Sequence, residues 1–456
     1  MSTASHTADG GQSLLEKFPL FVFALITAVF FITGHDIERT RFAGTEADSF
    51  ITSEEQAQVL LAQFQTGQLV NAITYLALGG ISFIGMLAFQ RFRPVGLRGL
   101  YGRITIFFFL WCILSTAWSF DPALTANKVA IFIMLSLAAV FAAQRFRVED
   151  LLYFVIFSST IYLIIGVGAE VVWGTFRPWA SGYRFSGTIH PNGQGMNCAL
   201  LLLACLFTIP RAQHLKKILL LLAFAALIFL VFTKSRTPFA VTFACLGLYA
   251  LLWAPGSLKM LLAMATIVVL LATPVFYPVL GPLFEKVIML GRTETTLSHA
   301  TQLSGRTELW QECWYYIQQR LTLGWGYNSF WTLDNTEDIA RQIDWYSGSA
   351  HSVYLDLWLG VGILGMFAYV LLLVGALAHF GRLNLLTSEP AYGFAFVLLL
   401  FSALHGIFES AFLYPAIYTF MVMMLMARVA FVEEPEVESL SDAAASQPDG
   451  ALVTAR

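Results

Sequence analysis

Charge is what this sequence has least of. Asp, Glu, Lys and Arg make up 12% of its 456 residues, where a soluble domain carries about a quarter. With 57% hydrophobic residues and repeated apolar runs near the ~20 residues that cross a bilayer, that scarcity excludes an ordinary soluble enzyme. It points to an all-α integral membrane protein, because hydrocarbon offers backbone polar groups no partner outside a helix. Cysteine is sparse too. Cys112, Cys198, Cys205, Cys245 and Cys313 form no CxxC pair, and four of them fall in apolar runs, where cysteine behaves as a small core residue. Neither a disulfide framework nor a zinc site is expected. An acidic catalytic pair and metal-ligand motifs are lacking, so no metal and no cofactor are expected. Asp121, before Pro122, reads as a turn residue. No internal repeat is detectable, and the first apolar run lacks a small-residue cleavage pattern, which makes it a retained helix.

About twelve spans are expected, at roughly 18–34, 69–89, 103–119, 127–144, 150–172, 192–210, 216–233, 237–254, 258–280, 351–379, 391–409 and 413–432. They divide the chain into an N-terminal segment (1–17), nine spans (18–280), one long loop (281–350), three spans (351–432) and a tail (433–456) whose acidic, small-residue composition predicts disorder. Orientation follows from the basic residues of the short connections. Arg91, Arg93, Arg98 and Arg103, then Arg145 and Arg147, then Arg211, Lys216 and Lys217, then Lys259 and Arg382 occupy alternate loops. Those loops and both termini are therefore expected in the cytoplasm. The 281–350 loop faces the other side, the periplasm of a bacterial inner membrane.

Three cations contradict that asymmetry. Arg184 opens the polar turn "RFSGTIHPNGQG" (184–195), and Lys234 and Arg236 lie in the tight "TKSRTP" turn (233–238). Lys234 reads best as a snorkelling side chain. Arg184 and Arg236 are equally open to an anion-binding reading, since cations at membrane cavities tend to be functional. Asn192 is expected to cap the sixth span. The long loop is rich in Trp and Tyr, and its stretch "SGRTELWQECWYYIQQRL" (304–321) predicts an amphipathic helix capped near Ser304. Leu309, Trp310, Cys313, Trp314, Ile317 and Leu321 recur on it at helical spacing; lid and sugar platform stay open as its role. His351 stands at the mouth of the tenth span, on the side of Arg184 and Arg236, where a neutral imidazole can take a proton near pH 7.

"RFSGTIHPN", the "TKSRT" turn, "SGRTELW" followed by "LGWGYNSFW", and "AHSVYLDLWLGVGILG" together, in this order and on these span ends, resemble the O-antigen ligase and polysaccharide polymerase family of bacterial envelopes. The resemblance runs from about residue 116 onward; residues 1–100 share only hydropathy. It implies a metal-independent, multi-span (GT-C-like) glycosyltransferase. The implied donor is a glycan on a polyprenyl (undecaprenyl-type) pyrophosphate, and the implied acceptor is a lipid-linked repeat unit or lipid A core. It implies Arg184 and Arg236 on the pyrophosphate, His351 as base or acceptor-orienting group, and Arg306, His190, Asn192 and Lys234 as accessory site residues. One departure stands out: members usually follow the key His with Asn, where this chain has Ser352. The motifs stand nearer the exopolysaccharide polymerases than the ligases. A flippase and a chain-length regulator are the implied protein partners, and nucleic acid is not among the partners. The rival from another class is a lipid-linked sugar transporter, with His405 and Glu409, four apart in the eleventh span, as a proton relay. Internal repeats and broken helices would favour it, and the sequence displays neither.

Overall fold

The computed structural model describes residues 24–34, 68–88, 96–253 apart from 181, scattered positions between 255 and 264, 305–343 and 346–432. Among these it is helical throughout. Membrane-type helices are α1 (Ala24–Gly34), α2 (Gln68–Ala88), α3 (Gly99–Leu114), α4 (Pro122–Arg145), α5 (Val148–Val172), α6 (Pro191–Thr208), α7 (Lys216–Phe232) and α8 (Arg236–Trp253). After the two loop helices α9 (Arg306–Gln319) and α10 (Leu333–Ile343) come α11 (Val353–Thr387), α12 (Pro390–His405) and α13 (Ile417–Phe431). Six stretches are long and apolar enough to cross a membrane: Gly99–Trp118, Pro122–Arg145, Val148–Val172, Gln213–Phe232, Arg236–Trp253 and Val353–Thr387. The expected span at 258–280 falls almost wholly outside the described residues.

Burial sorts the helices into an inner and an outer set. On α6 the run Cys198–Cys205 is buried all round, as are Tyr418–Arg428 of α13 and most of α12. A helix that is apolar on every face belongs in the interior. α3, α7 and α8 instead expose large apolar residues, among them Leu110, Leu221 and Leu252, which suits contact with lipid. The one fully buried cation among the described residues, Arg428, is matched: its Nη1 donates to the carbonyls of Ala143 and Phe146 at 3.2 and 2.6 Å, at the negative end of α4. Asp121 is the N-cap of α4, where it accepts from the Leu124 N–H at 2.9 Å, a more specific job than a turn residue's.

Several expected spans differ in their bounds from the helices that form, among them the third, fourth and twelfth, which form as Gly99–Leu114, Pro122–Arg145 and Ile417–Phe431; two differences bear on the site. The eleventh ends at His405 rather than 409. The tenth extends to Thr387 and is broken at Gly362, whose φ of 69° and ψ of −177° are not helical. The break is a socket for the loop that follows α9. Trp325 and Gly326 N–H groups donate to the Leu359 and Gly360 carbonyls at 2.7 and 2.8 Å, and the Ile363 N–H donates to the Leu321 carbonyl at 3.0 Å. Trp111 Nε1 takes the Val361 carbonyl at 2.8 Å. A Cβ on Gly362 would lie 2.0 Å from the Thr322 carbonyl oxygen, so only glycine fits. A broken helix was the mark of a transporter, and this chain has one. Its freed backbone groups, however, are consumed by the chain's own loop, whereas a transporter uses such groups on its cargo.

α9 packs on α11, with Leu309, Cys313 and Ile317 turned inward and Trp314 exposed. Its N-cap is Gly305, at φ 82° and with no capping side chain, so the expected Ser304 cap is displaced by one residue.

The orientation of the 281–350 loop can be checked at Gln311, an exposed position on α9. All five native cysteines are buried, so the background is quiet. Gln311→Cys should react with an impermeant thiol reagent in intact spheroplasts. Protection until the membrane is opened would place the loop in the cytoplasm.

Candidate functional site

The turn that opens at Arg184 is built on a buried acid. Glu170, near the end of α5, is 1% exposed. Its carboxylate accepts from the Tyr183 hydroxyl at 2.6 Å and from the Ser186 and Gly187 N–H groups at 3.0 and 2.8 Å. An acid in an apolar bundle is tolerable only when so satisfied. Burial, then the bond to Glu170, raises the Tyr183 pKa. Gly187 takes φ 59°, and a Cβ there would come 2.8 Å from the Gly166 Cα, which is why a glycine follows Ser186. The turn delivers Arg184 toward the next one: its Nε donates to the Thr233 carbonyl at 3.2 Å and its Nη2 to Asn192 Oδ1 at 3.4 Å.

His190, not Asn192, caps α6. The His190 ring Nδ1 accepts the Asn192 N–H at 3.1 Å, and Pro191 supplies the first helical residue, where no N–H is needed. Asn192 therefore spends its side chain elsewhere. Its Oδ1 accepts from the Ser235 hydroxyl at 3.0 Å as well as from Arg184, and its Nδ2 donates to Glu409 Oε1 at 2.9 Å. Ser235 immediately precedes Arg236, the first residue of α8. Lys234 forms the turn between α7 and α8 at φ 49°.

Glu409 is where the remaining segments meet. Arg306, in the first turn of α9, donates from Nη2 to Oε1 at 2.8 Å, and His351 Nδ1 lies 3.4 Å from Oε2. Burial works to raise the Glu409 pKa, but the His351 hydrogen bond and the charge of Arg306 outweigh it and hold the carboxyl below its usual range. With the folded value below the unfolded one, the carboxylate's contribution is complete above the ordinary carboxylate range. It is lost as pH falls through the folded value. Arg306 also lies within electrostatic range of Arg236, so two guanidinium groups from α8 and α9 share this end of the bundle.

His351 is held in a left-handed conformation, φ 48°, which costs a non-glycine residue about 1–2 kcal/mol. Asp356 supplies the restraint. Its buried carboxylate accepts from the Ala350 N–H at 3.0 Å, from Trp331 Nε1 at 2.7 Å and from the Ser410 hydroxyl. Trp310 Nε1 donates to the Ala350 carbonyl at 2.8 Å, and the Val353 N–H to the Gly406 carbonyl at 2.8 Å. Ser352 begins α11 without a side-chain cap.

Arg184, Asn192, Arg306 and His351 thus enter one hydrogen-bonded network, and Ser235 ties the start of α8, with Arg236, to it. His190 borders the network as a cap. Of the acids that organise the site, Glu170 and Asp356 escape a reading focused on cations, and Glu409 enters it only beside His405. Their signal was available: each is a lone carboxylate in or beside an apolar run. The side chains of His405 and Glu409 are not hydrogen-bonded to each other; the link between the two residues is the Glu409 N–H donating to the His405 carbonyl at 2.9 Å. The His405 ring stacks on Phe401 at 5.1 Å, and neither of its nitrogens has a hydrogen-bond partner.

Residues 221–370 match the family model described as O-antigen ligase. The matched segment carries Arg236, Arg306, His351, Asp356 and Gly362; Arg184, Asn192 and Glu409 lie outside it. The match supports the O-antigen ligase and polymerase family. No curated protein matches the chain.

Glu170→Leu keeps roughly the size of the side chain but leaves the Ser186 and Gly187 N–H groups without their acceptor. It should destabilise the purified protein by about 1–3 kcal/mol for an acceptor lost in the interior, read as a lower midpoint in thermal unfolding. An unchanged midpoint would remove Glu170 as the support of the 184–190 turn.

Proposed function

We propose that the protein is a glycosyltransferase of the bacterial inner membrane that polymerises polyprenyl-pyrophosphate-linked repeat units at the periplasmic face. What carries the reading is one observation: the Arg184 turn, the start of α8 and His351 converge through Asn192 and Glu409, and the O-antigen ligase match covers two of these three parts. The chemistry asks for that combination. An acceptor hydroxyl attacks the anomeric carbon of the donor, a new C–O bond forms, and the bond to the pyrophosphate breaks with its electron pair leaving on the phosphate oxygen. Cations that pair bidentately with phosphate oxygens stabilise this departure, the role we give Arg184 and Arg236. His351 takes the acceptor proton. Arg306 is committed to Glu409 and acts from that position. A flippase that delivers donor and a chain-length regulator are the partners such a polymerase would have.

The matched family, O-antigen ligase, favours a second reading, transfer of finished glycan to lipid A core. Deleting the gene and analysing surface glycan separates the two. Loss of polymer with accumulation of single repeat units is the expected result; polymer still made but absent from lipid A core would mean ligase. Unchanged surface glycan would contradict both.

Arg184→Ala and Arg236→Ala should each remove charge-assisted contacts worth about 1.5–3 kcal/mol, a loss of about 10- to 150-fold in transfer. Lys at either position should rescue only in part, because it lacks the planar fork. Full polymer synthesis in both Ala variants at matched expression would take these residues out of the site. His351→Gln keeps a hydrogen bond but takes no proton, so it should fold and lose transfer by about 10²–10⁴-fold; an active His351→Gln protein would limit the residue to orientation.

A further inference from the structure

We infer that Glu409 is the positioning residue of the transfer: it fixes the His351 proton on Nδ1 and so assigns the ring's lone pair, the one that takes the acceptor proton, to Nε2. The inference rests on the glycosyltransfer reading above and adds to it a residue outside the matched segment.

An ionised carboxylate only accepts hydrogen bonds. A ring nitrogen that faces it must therefore carry hydrogen, and in a neutral imidazole the other nitrogen then holds the lone pair. The nitrogen facing Glu409 is Nδ1, 3.4 Å from Oε2. That separation is long, as such contacts often are before substrate binds. The two oxygens of Glu409 divide their work. Oε1 receives Arg306 at 2.8 Å and Asn192 at 2.9 Å, two donors for its two lone pairs. Oε2 is the oxygen turned to the histidine. The backbone on the N-terminal side of His351 is separately held through Ala350 by Asp356 and Trp310, so the ring is located by the main chain and oriented by Glu409.

The charged and titratable groups that face this pair come from every neighbouring element. Arg306 comes from α9 and His405 from the end of α12, Tyr414 follows in the next segment, and Asp356 lies in the first turn of α11. As the acceptor O–H proton moves to Nε2 the ring becomes imidazolium. Glu409 is the hydrogen-bonded counter-charge to it, while the electron pair of the breaking anomeric C–O bond leaves with the pyrophosphate. Asn192 joins the two ends of the event, since its Nδ2 rests on Glu409 and its Oδ1 on Arg184.

Glu409→Gln makes the test sharp. Arg306 and Asn192 both donate to one oxygen and will hold the amide carbonyl there, which turns the amide NH2 toward His351 Nδ1. The ring must then accept at Nδ1 and carry its proton on Nε2, the wrong tautomer for a base. In a full-length chain in nanodiscs with ¹⁵N-labelled histidine, assigned by difference against His351→Gln, wild type should show the Nδ1–H form of His351 and Glu409→Gln the Nε2–H form. With a polyprenyl-pyrophosphate-linked glycan as donor, Glu409→Gln should lose about 10²–10⁴-fold in kcat with little change in donor KM. Glu409→Asp, which keeps the charge, should show the wild-type tautomer and recover part of kcat, and that recovery guards against a merely structural loss. An Nε2–H ring in the wild-type chain would overturn the inference. So would a Glu409→Gln enzyme within about twofold of wild-type kcat. An Nδ1–H ring in a wild-type chain that transfers no glycan from this donor would overturn the glycosyltransfer reading instead, and leave the Glu409–His351 geometry standing.

Discussion

A buried carboxylate in a bundle this poor in charge has to be matched, and the match at Glu409 brings distant parts of the chain to one point. Moving an ion out of water costs several kcal/mol even after relaxation, and the cost is met only by well-placed partners. At Glu409 the partners are Asn192 at the start of α6, Arg306 at the start of α9 and His351 before α11. None of these segments is near another in sequence. Remove the acid and Arg306, 15% exposed in its side chain, becomes an uncompensated cation beside Arg236. The hub is thus a condition of the site's geometry as well as a member of it.

The other two acids do the same work one layer out. Glu170 folds the 184–190 turn from beneath, and Asp356 pins the strained backbone at His351 to the loop that bears Glu409. The socket at Gly362 adds rigidity at the same end of α11, since the loop after α9 fills the break with its own carbonyl and N–H groups. A site placed on restraints of this kind is prepared before substrate arrives, which is what electrostatic stabilisation of a leaving pyrophosphate requires. It is a poor design for alternating access, in which the same backbone groups would have to release and re-form.

Much of this was readable in the amino-acid order. The expected spans at 150–172, 192–210, 216–233 and 237–254 correspond to Val148–Val172, Pro191–Thr208, Lys216–Phe232 and Arg236–Trp253, because length and hydropathy alone decide where a helix satisfies its backbone in lipid. Arg184 and Arg236 stood out as cations on the disfavoured side. The rest depended on contacts between remote segments. The break at Gly362 leaves no trace in hydropathy, since the apolar run continues through it and the group that fills it is the Thr322 carbonyl. Glu409 was visible only as the i+4 neighbour of His405; its N–H does donate to the His405 carbonyl, but its side chain turns to Asn192, Arg306 and His351 instead. The choice of His190 over Asn192 as cap turned on where the Asn192 amide was needed more.

The claim beneath all of this is that the chain moves a glycan off a lipid pyrophosphate. The most direct measurement is reconstitution of the purified protein in liposomes with a labelled polyprenyl-pyrophosphate oligosaccharide as its sole substrate, scoring glycan length and free polyprenyl pyrophosphate together. The account predicts longer lipid-linked glycans, with one polyprenyl pyrophosphate released for each unit added. Labelled donor that crosses the bilayer with its glycan unchanged and no pyrophosphate lipid released would contradict it.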